Sequence, residues 1–212
     1  MCRKIPLMAM LFFSGFALNA QYPGYSLLTD AAIFKNQFAK VSEKTNSIQS
    51  DFVQEKNLNM LSEKIVSKGK FWFRKDNSVR MEYSDPFPYL MILSSGNVLI
   101  RDGEKENKIS ARSNKLFEQI NKLVIDCVNG SALNNSDFNS RIFEGKENYL
   151  IELSPQSKNL KNYFKNIVVV IDKKDYVAST IEMRELSGDN TIIRFTNKEL
   201  NIKIPDALFT IH

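Results

Sequence analysis

Few residues in this chain are of the kind that does covalent or metal chemistry. Its 212 residues hold one His and two Cys. A zinc site draws on three or four His, Cys or carboxylate ligands, and an acyl-transfer triad needs an imidazole beside its nucleophile. The one imidazole belongs to His212, the last residue, where chains fray. His/Cys zinc clusters, Cys/His pairs and Ser-His-Asp triads are therefore excluded. No Gly-rich phosphate loop follows a strand pattern, no G-x-S-x-G turn occurs and no two histidines share a helix face. Glu82 beside Arg80 and Glu152 beside Ile151 fall on the polar faces of strand patterns, where they read as solvent-side residues rather than general acids. The run Phe71-Trp72-Phe73-Arg74-Lys75 mixes aromatics with cations as single-strand nucleic-acid binders do. Interleaved acids and an export signal oppose that use. The residues thus imply a protein that is not an enzyme, with no metal, no cofactor and no nucleic-acid partner.

What the chain has in surplus is apolar surface. It is 43% hydrophobic and 25% charged, and 15 Phe, 7 Tyr and one Trp make up its aromatics. That balance suits a single globular domain, and so many rings must line either a core or a cavity. Some belong elsewhere. Arg3 and Lys4 precede a nearly uncharged apolar run over residues 5–18, too short to span a bilayer. Residues 1–20 therefore read as a secretory signal peptide cut after Ala20, leaving 21–212 as one exported domain. Gln21 at the new terminus is not the Cys that a bacterial lipid anchor requires. Removing Arg3 and Lys4 lowers the formal charge from +5 to about +3. Cys2 leaves with the signal, so Cys127 has no partner for an intramolecular disulfide and reads as an inert residue on an apolar helix face.

Two periodicities organise the mature chain. Ala31, Phe34, Phe38 and Val41 recur at helical spacing and predict an amphipathic helix over residues 27–44, with Thr29 or Asp30 as its cap. Leu116, Phe117, Ile120, Leu123, Val124 and Cys127 predict a second. Nearly everything else alternates at period two: Ile65, Gly69, Phe71 and Phe73 share a face, as do Val79, Met81 and Tyr83, then Tyr149, Ile151 and Leu153, and Ile167, Val169 and Ile171. Short turns such as Asp76-Asn77, Asp102-Gly103 and Ser187-Gly188-Asp189-Asn190 join these runs, so sequential strands should pair antiparallel. The predicted fold class is mainly β with α: one curved antiparallel sheet forming an unclosed β-barrel, covered by amphipathic helices.

The order of short motifs carries a resemblance. Ile48-Gln49-Ser50-Asp51-Phe52-Val53-Gln54 is followed by Gly69-Lys70-Phe71-Trp72-Phe73, then by Arg80-Met81-Glu82-Tyr83-Ser84-Asp85-Pro86. Asn201-Ile202-Lys203-Ile204-Pro205-Asp206-Ala207-Leu208-Phe209 closes the chain. This succession, I-x-x-x-F-x-Q, G-x-F-x-F, R-x-x-Y-x-x-P and N-x-x-x-x-D-x-x-F, resembles the periplasmic outer-membrane lipoprotein carrier family, LolA. The resemblance implies a monomeric periplasmic protein that holds the acyl chains of acylated lipoproteins in a hydrophobic cavity. It would receive them from an inner-membrane lipoprotein-releasing transporter and pass them to an outer-membrane acceptor, where one is present. An envelope sensor or a carrier of another lipid would use the same fold. The expected cavity lining is Phe34, Phe38, Phe52, Phe71, Phe73, Val79, Met81, Tyr83, Met91, Phe117 and Ile120. Lys75 stands where relatives place an Arg that holds the helical lid shut, and offers a point charge in place of a planar fork. Val79 stands where they carry an aromatic used in release from the inner-membrane complex.

Overall fold

Strands that are apolar on alternate residues and joined by tight turns pair with their sequence neighbours, and this chain does so over most of its length. The computed structural model describes residues 22–110, 125–126 and 131–211. Twelve antiparallel strands form one sheet: β1 (Ser26–Leu27), β2 (Ser47–Leu58), β3 (Glu63–Arg74), β4 (Ser78–Asp85), β5 (Tyr89–Ser94), β6 (Asn97–Asp102), β7 (Lys105–Ser110), β8 (Phe138–Glu144), β9 (Asn148–Pro155), β10 (Phe164–Asp172), β11 (Ala178–Glu185) and β12 (Asn190–Leu200). Their order is β1-β8-β9-β10-β11-β12-β2-β3-β4-β5-β6-β7, so the sheet does not close. One long-range pairing, β12 with β2, unites two runs of hairpins. Helix α1 (Ala32–Lys44) lies before β2, and the one-turn helix α2 (Lys158–Lys161) precedes β10.

The first predicted helix starts five residues late. Leu27 pairs with Phe143 in β1, and the Leu28 N–H bonds the Ile142 carbonyl at 2.8 Å, so the sheet captures the residues that periodicity assigned to the helix. Neither Thr29 nor Asp30 is the cap, which falls on Ala31 without a side-chain bond, although the Asp30 carboxylate one residue earlier accepts the Ala32 N–H at 3.0 Å. The predicted second helix, with Phe117, Ile120 and Cys127, lies outside the described residues, as do the signal segment and His212.

The pleat sends Phe71 and Phe73 to the concave side and Trp72 to the convex side. Gly69 is required on the same strand. A Cβ there would lie 2.1 Å from the Glu82 carbonyl oxygen and 2.9 Å from the Phe52 ring, where β4 shifts register beside Lys68 and Gly69. The first letter of G-x-F-x-F is thus set by backbone approach. Ile65, placed by parity in the same inward row, is 45% exposed because the β4 pairing has already ended at Lys68.

The convex side is strapped at both ends of the chain. Segment 201–211 crosses β3 and β4: Ile204 and Phe209 bury Trp72, Asp206 pairs with Arg74, and Arg80 donates to the Leu208 carbonyl at 3.1 Å. The Arg74 guanidinium also lies 4.8 Å over the Phe209 ring. Asn201 accepts the Asn46 N–H at 2.7 Å. The terminal motif is therefore a clamp. At the other end Tyr22 packs edge-on against Phe143, 5.1 Å between centroids, and its hydroxyl donates to Glu152. This corrects the reading of Glu152 as a solvent-side residue. Parity does point it at the convex face, but Tyr22 and Arg141, the latter bonded at 2.6 Å, leave it 3% exposed. Glu82, by contrast, stays on the surface in an ion pair with Arg80.

Two outcomes follow. Gly69→Ala should lower stability by about 3 kcal/mol through overpacking against backbone, read as a lower urea midpoint at unchanged slope. Burial and the Glu152 carboxylate push the Tyr22 phenol up to about 12. The folded state then holds this proton more tightly than the unfolded chain, so the associated stability is complete below about pH 10 and is lost as pH rises through about 12. In Tyr22→Phe, urea midpoints measured across that range should fall less steeply than in the parent.

Candidate functional site

The inward rows of ten strands meet in one apolar cluster on the concave side. Phe52 of β2, Phe71 and Phe73 of β3, Val79 and Met81 of β4 belong to it as buried residues, with Tyr83 and Met91 packed against it half-buried. Phe34 and Phe38 of α1 join it, as do Ile125 and Leu160, with Leu133 packed against it half-buried. Nine of the eleven predicted lining residues are thus brought together; the other two, Phe117 and Ile120, lie outside the described residues. Residues not predicted join them: Phe195 of β12, 5.0 Å from Phe71 between ring centroids, and Tyr149 and Tyr176 around Phe34. Tyr149 was legible as part of an alternating row. Tyr176 sits in a turn, at positive φ, where no periodicity could mark it.

Helix α1 holds to this face by little. Its buried residues are Phe34 and Phe38, stacked 5.4 Å apart, and Phe34 rests 4.4 Å from the Tyr149 ring. Its last turn is held by polar contacts. The Lys75 ammonium donates to the Glu43 carbonyl, one of the four that a helix C-terminus leaves without an internal partner, and the Thr45 hydroxyl donates to the Val41 carbonyl at 2.9 Å. A cation at this end also complements the helix dipole. Lys75 lies just beyond β3, in the turn, with its own N–H bonded to the Asn46 carbonyl at 2.9 Å.

Polar groups on the concave face are few and mostly paired. Tyr83 donates to Gln54 at 3.0 Å and packs edge-on against Phe52 at 4.8 Å. Burial, reinforced by Tyr89, holds its phenol well above the ordinary range, so it stays neutral. A bulge in β12 turns Lys198 toward a small pocket bounded by Ile48, Ser50, Phe71, Val177, Ala178 and Phe195. Its amine bonds Asp172 at 2.6 Å and Asp175 at 3.0 Å. The pocket has about 10 Å³ of free volume, room for one water-sized atom. Ser50, 2% exposed, offers it a hydroxyl with no partner among the described residues. Among those residues no group of three His, Cys, Asp or Glu could hold a metal, and no helix is long and apolar enough to cross a membrane. The arrangement is suited to covering apolar matter.

Comparison with known proteins agrees with the fold. A chain of the MucA/MucB complex of Pseudomonas aeruginosa is similar over 86% of this chain and 61% of its own, at 15% identity and a TM-score of 0.51. An uncharacterized conserved protein from Thermus thermophilus is similar over 84% of this chain and 93% of its own, at 9% identity and a TM-score of 0.50. Identities this low speak to fold alone. Comparison with curated proteins finds no match. The family model described as "Outer membrane lipoprotein carrier protein LolA" matches residues 43–212, from the last turn of α1 through the convex strap. An open antiparallel sheet with an apolar concave face, read together with that match, makes this chain a member of the LolA family.

Proposed function

We propose that this protein is a periplasmic carrier that shelters the acyl chains of lipoproteins against its concave face while they pass from the inner to the outer membrane. The observation that carries the reading is the seat of α1: among the described residues, this helix meets the large apolar face through two buried side chains, Phe34 and Phe38. Family membership supports the cargo class. An inner-membrane lipoprotein-releasing transporter would load the protein and an outer-membrane acceptor would unload it.

The energetics suit a reversible cover. Exposing a buried Phe costs roughly 1.5–3 kcal/mol, so lifting Phe34 and Phe38 costs about 3–6 kcal/mol. Burying an acyl chain returns about 0.8 kcal/mol per CH₂, or roughly 10 kcal/mol for a dozen. Acyl chains therefore outcompete the helix, while the empty protein closes on itself and keeps its apolar face from water. The opening cost is subtracted from the intrinsic affinity, which keeps the cargo releasable. Spontaneous loss into water stays slow, so transfer proceeds by direct contact between proteins or with a membrane. Lys75 acts in this scheme as a latch on the last turn of α1.

Two outcomes test the reading. Exported protein isolated under gentle conditions should carry triacylated lipoprotein, identified by mass spectrometry, and its depletion should leave lipoproteins in the inner membrane; unchanged sorting on depletion contradicts the proposal. Lys75→Ala removes one charge-assisted bond to the helix, worth about 1 kcal/mol, and should raise the open population about fivefold. Hydrogen exchange in residues 41–44 should quicken accordingly, and Lys75→Arg should restore the parent rate.

A further inference from the structure

The two ends of the sheet differ in what they show to solvent. At the end that holds Lys75, the turns read Lys75-Asp76-Asn77, Ser95-Gly96, Gly145-Lys146-Glu147 and Lys173-Lys174-Asp175, all small or polar. At the opposite end the connections carry large apolar side chains left exposed to solvent. Of the nine such residues most exposed among the described ones, seven are there: Met60 at 91% and Leu61 at 63% on the β2–β3 connection, Ile65 and Val66 at the start of β3, Phe87 at 76% between β4 and β5, Leu186 at 60% between β11 and β12, and Tyr163 before β10. Register puts them on one rim. Asn57 pairs with Asn190, Lys68 with Asp85, and Phe164 with Glu185.

The β2–β3 hairpin also projects. Residues 63–67 pair with β2 but have no β4 partner, because the β4 ladder ends at Lys68. At about 3.3 Å per residue the hairpin overhangs β4 by roughly 16 Å. Met60 and Leu61 form its tip in a single 3₁₀ turn closed by Ser62 at positive φ. Such exposure costs solubility and invites aggregation, which makes an occupant the physical expectation.

We propose that this rim docks on the surface of an anionic lipid bilayer, with the β2–β3 tip inserted among the acyl chains. The form of the patch favours lipid over a protein groove. Beyond the β2–β3 hairpin, which carries four of them, the apolar groups stand on separate turns, and a fluid apolar phase receives the projecting hairpin and each of these independently. The charge pattern agrees. Exposed Lys64 and Lys68 flank Ile65 and Val66, and exposed Lys158, Lys161 and Lys165 surround Tyr163 in a segment, 156–171, that holds no acid. Long cationic stems beside a tyrosine are the usual furniture of a bilayer interface, where the ring sits at headgroup level and the amines reach for phosphate. Acids share the rim: Glu55 is ion-paired with Lys64 and Arg194, Asp189 accepts the Asn59 N–H, and Glu63 and Asp85 are exposed, so the cationic surplus lies on the Lys158, Lys161 and Lys165 segment. Under the carrier reading proposed above, docking here would hold the protein at the membrane that gives or receives acyl chains.

The test uses cargo-free full-length mature protein and vesicles of phosphatidylethanolamine with one-third phosphatidylglycerol, compared with phosphatidylcholine alone. Binding is read by co-sedimentation, so its outcome does not depend on whether the protein carries lipoproteins. The parent should bind the anionic vesicles more tightly, and added salt should weaken the binding. The double variant Met60→Ser/Leu61→Ser should bind about tenfold more weakly, while Ile33→Ser, which removes an apolar group 82% exposed on α1, should bind as the parent does. A bimane label on Cys introduced at position 61 should shift to the blue on vesicles, and one at Asn77 should not. Absence of vesicle binding at low salt overturns the proposal, as does equal binding by parent and tip variant. Loss of transfer to an acceptor protein in the tip variant without any vesicle binding by the parent would assign the rim to a protein and likewise overturn it.

Discussion

An antiparallel sheet of twelve strands that does not close has to cover its concave face with something other than itself. Among the described residues, α1 contributes Phe34 and Phe38 to that cover, beside Ile125 and Leu160. Phe34 and Phe38 reach down between Tyr149, Tyr176 and the inward rows, and the Lys75 amine holds the last turn. In the proposed carrier, a helix seated by two aromatic side chains is held weakly enough for a hydrocarbon chain to replace it. A larger helix face would shut the sheet permanently. None at all would leave an exposed apolar surface prone to association.

The convex side shows the complementary arrangement. There the chain's two terminal segments are tied by specific polar contacts: Tyr22 to Glu152, Asp206 to Arg74, Arg80 to the Leu208 carbonyl. Directional bonds resist sliding, while the methyl and ring contacts of the concave face do not depend on a single geometry. Rigidity is therefore placed outside and adaptability inside. In the proposed carrier, the sheet keeps its curvature while α1 lifts.

The rows that alternate at period two were readable because each residue's face is set by its own position in the strand. For that reason Phe52, Phe71, Phe73, Val79, Met81, Tyr83 and Met91 could be placed together without coordinates. What parity could not tell is what lies above a face. Glu152 points outward as its position requires and is nevertheless buried, because the partner that covers it is 130 residues away in sequence. Asn201, Asp206 and Phe209 were visible as a motif, but their work as a clamp depends on Asn46, Arg74 and Trp72, contacts that no local pattern encodes. Helix α1 began late because β8 offered hydrogen bonds to Leu27 and Leu28. The apolar rim was not legible as a patch: Ile65 read as part of an inward row, single hydrophobic residues in turns have no period, and only the shared end of the sheet gathers them.

The central claim is that acyl chains and α1 compete for one surface. Spin labels at Lys40 on α1 and at Lys165 on β10, both exposed, report the separation of helix and sheet. Their distance distribution, measured with and without a triacylated lipopeptide, tests the claim directly. The account predicts one short distance in the empty protein and a longer, broader population that grows in proportion to bound lipopeptide. Lipopeptide bound at full occupancy with the distance unchanged would contradict it.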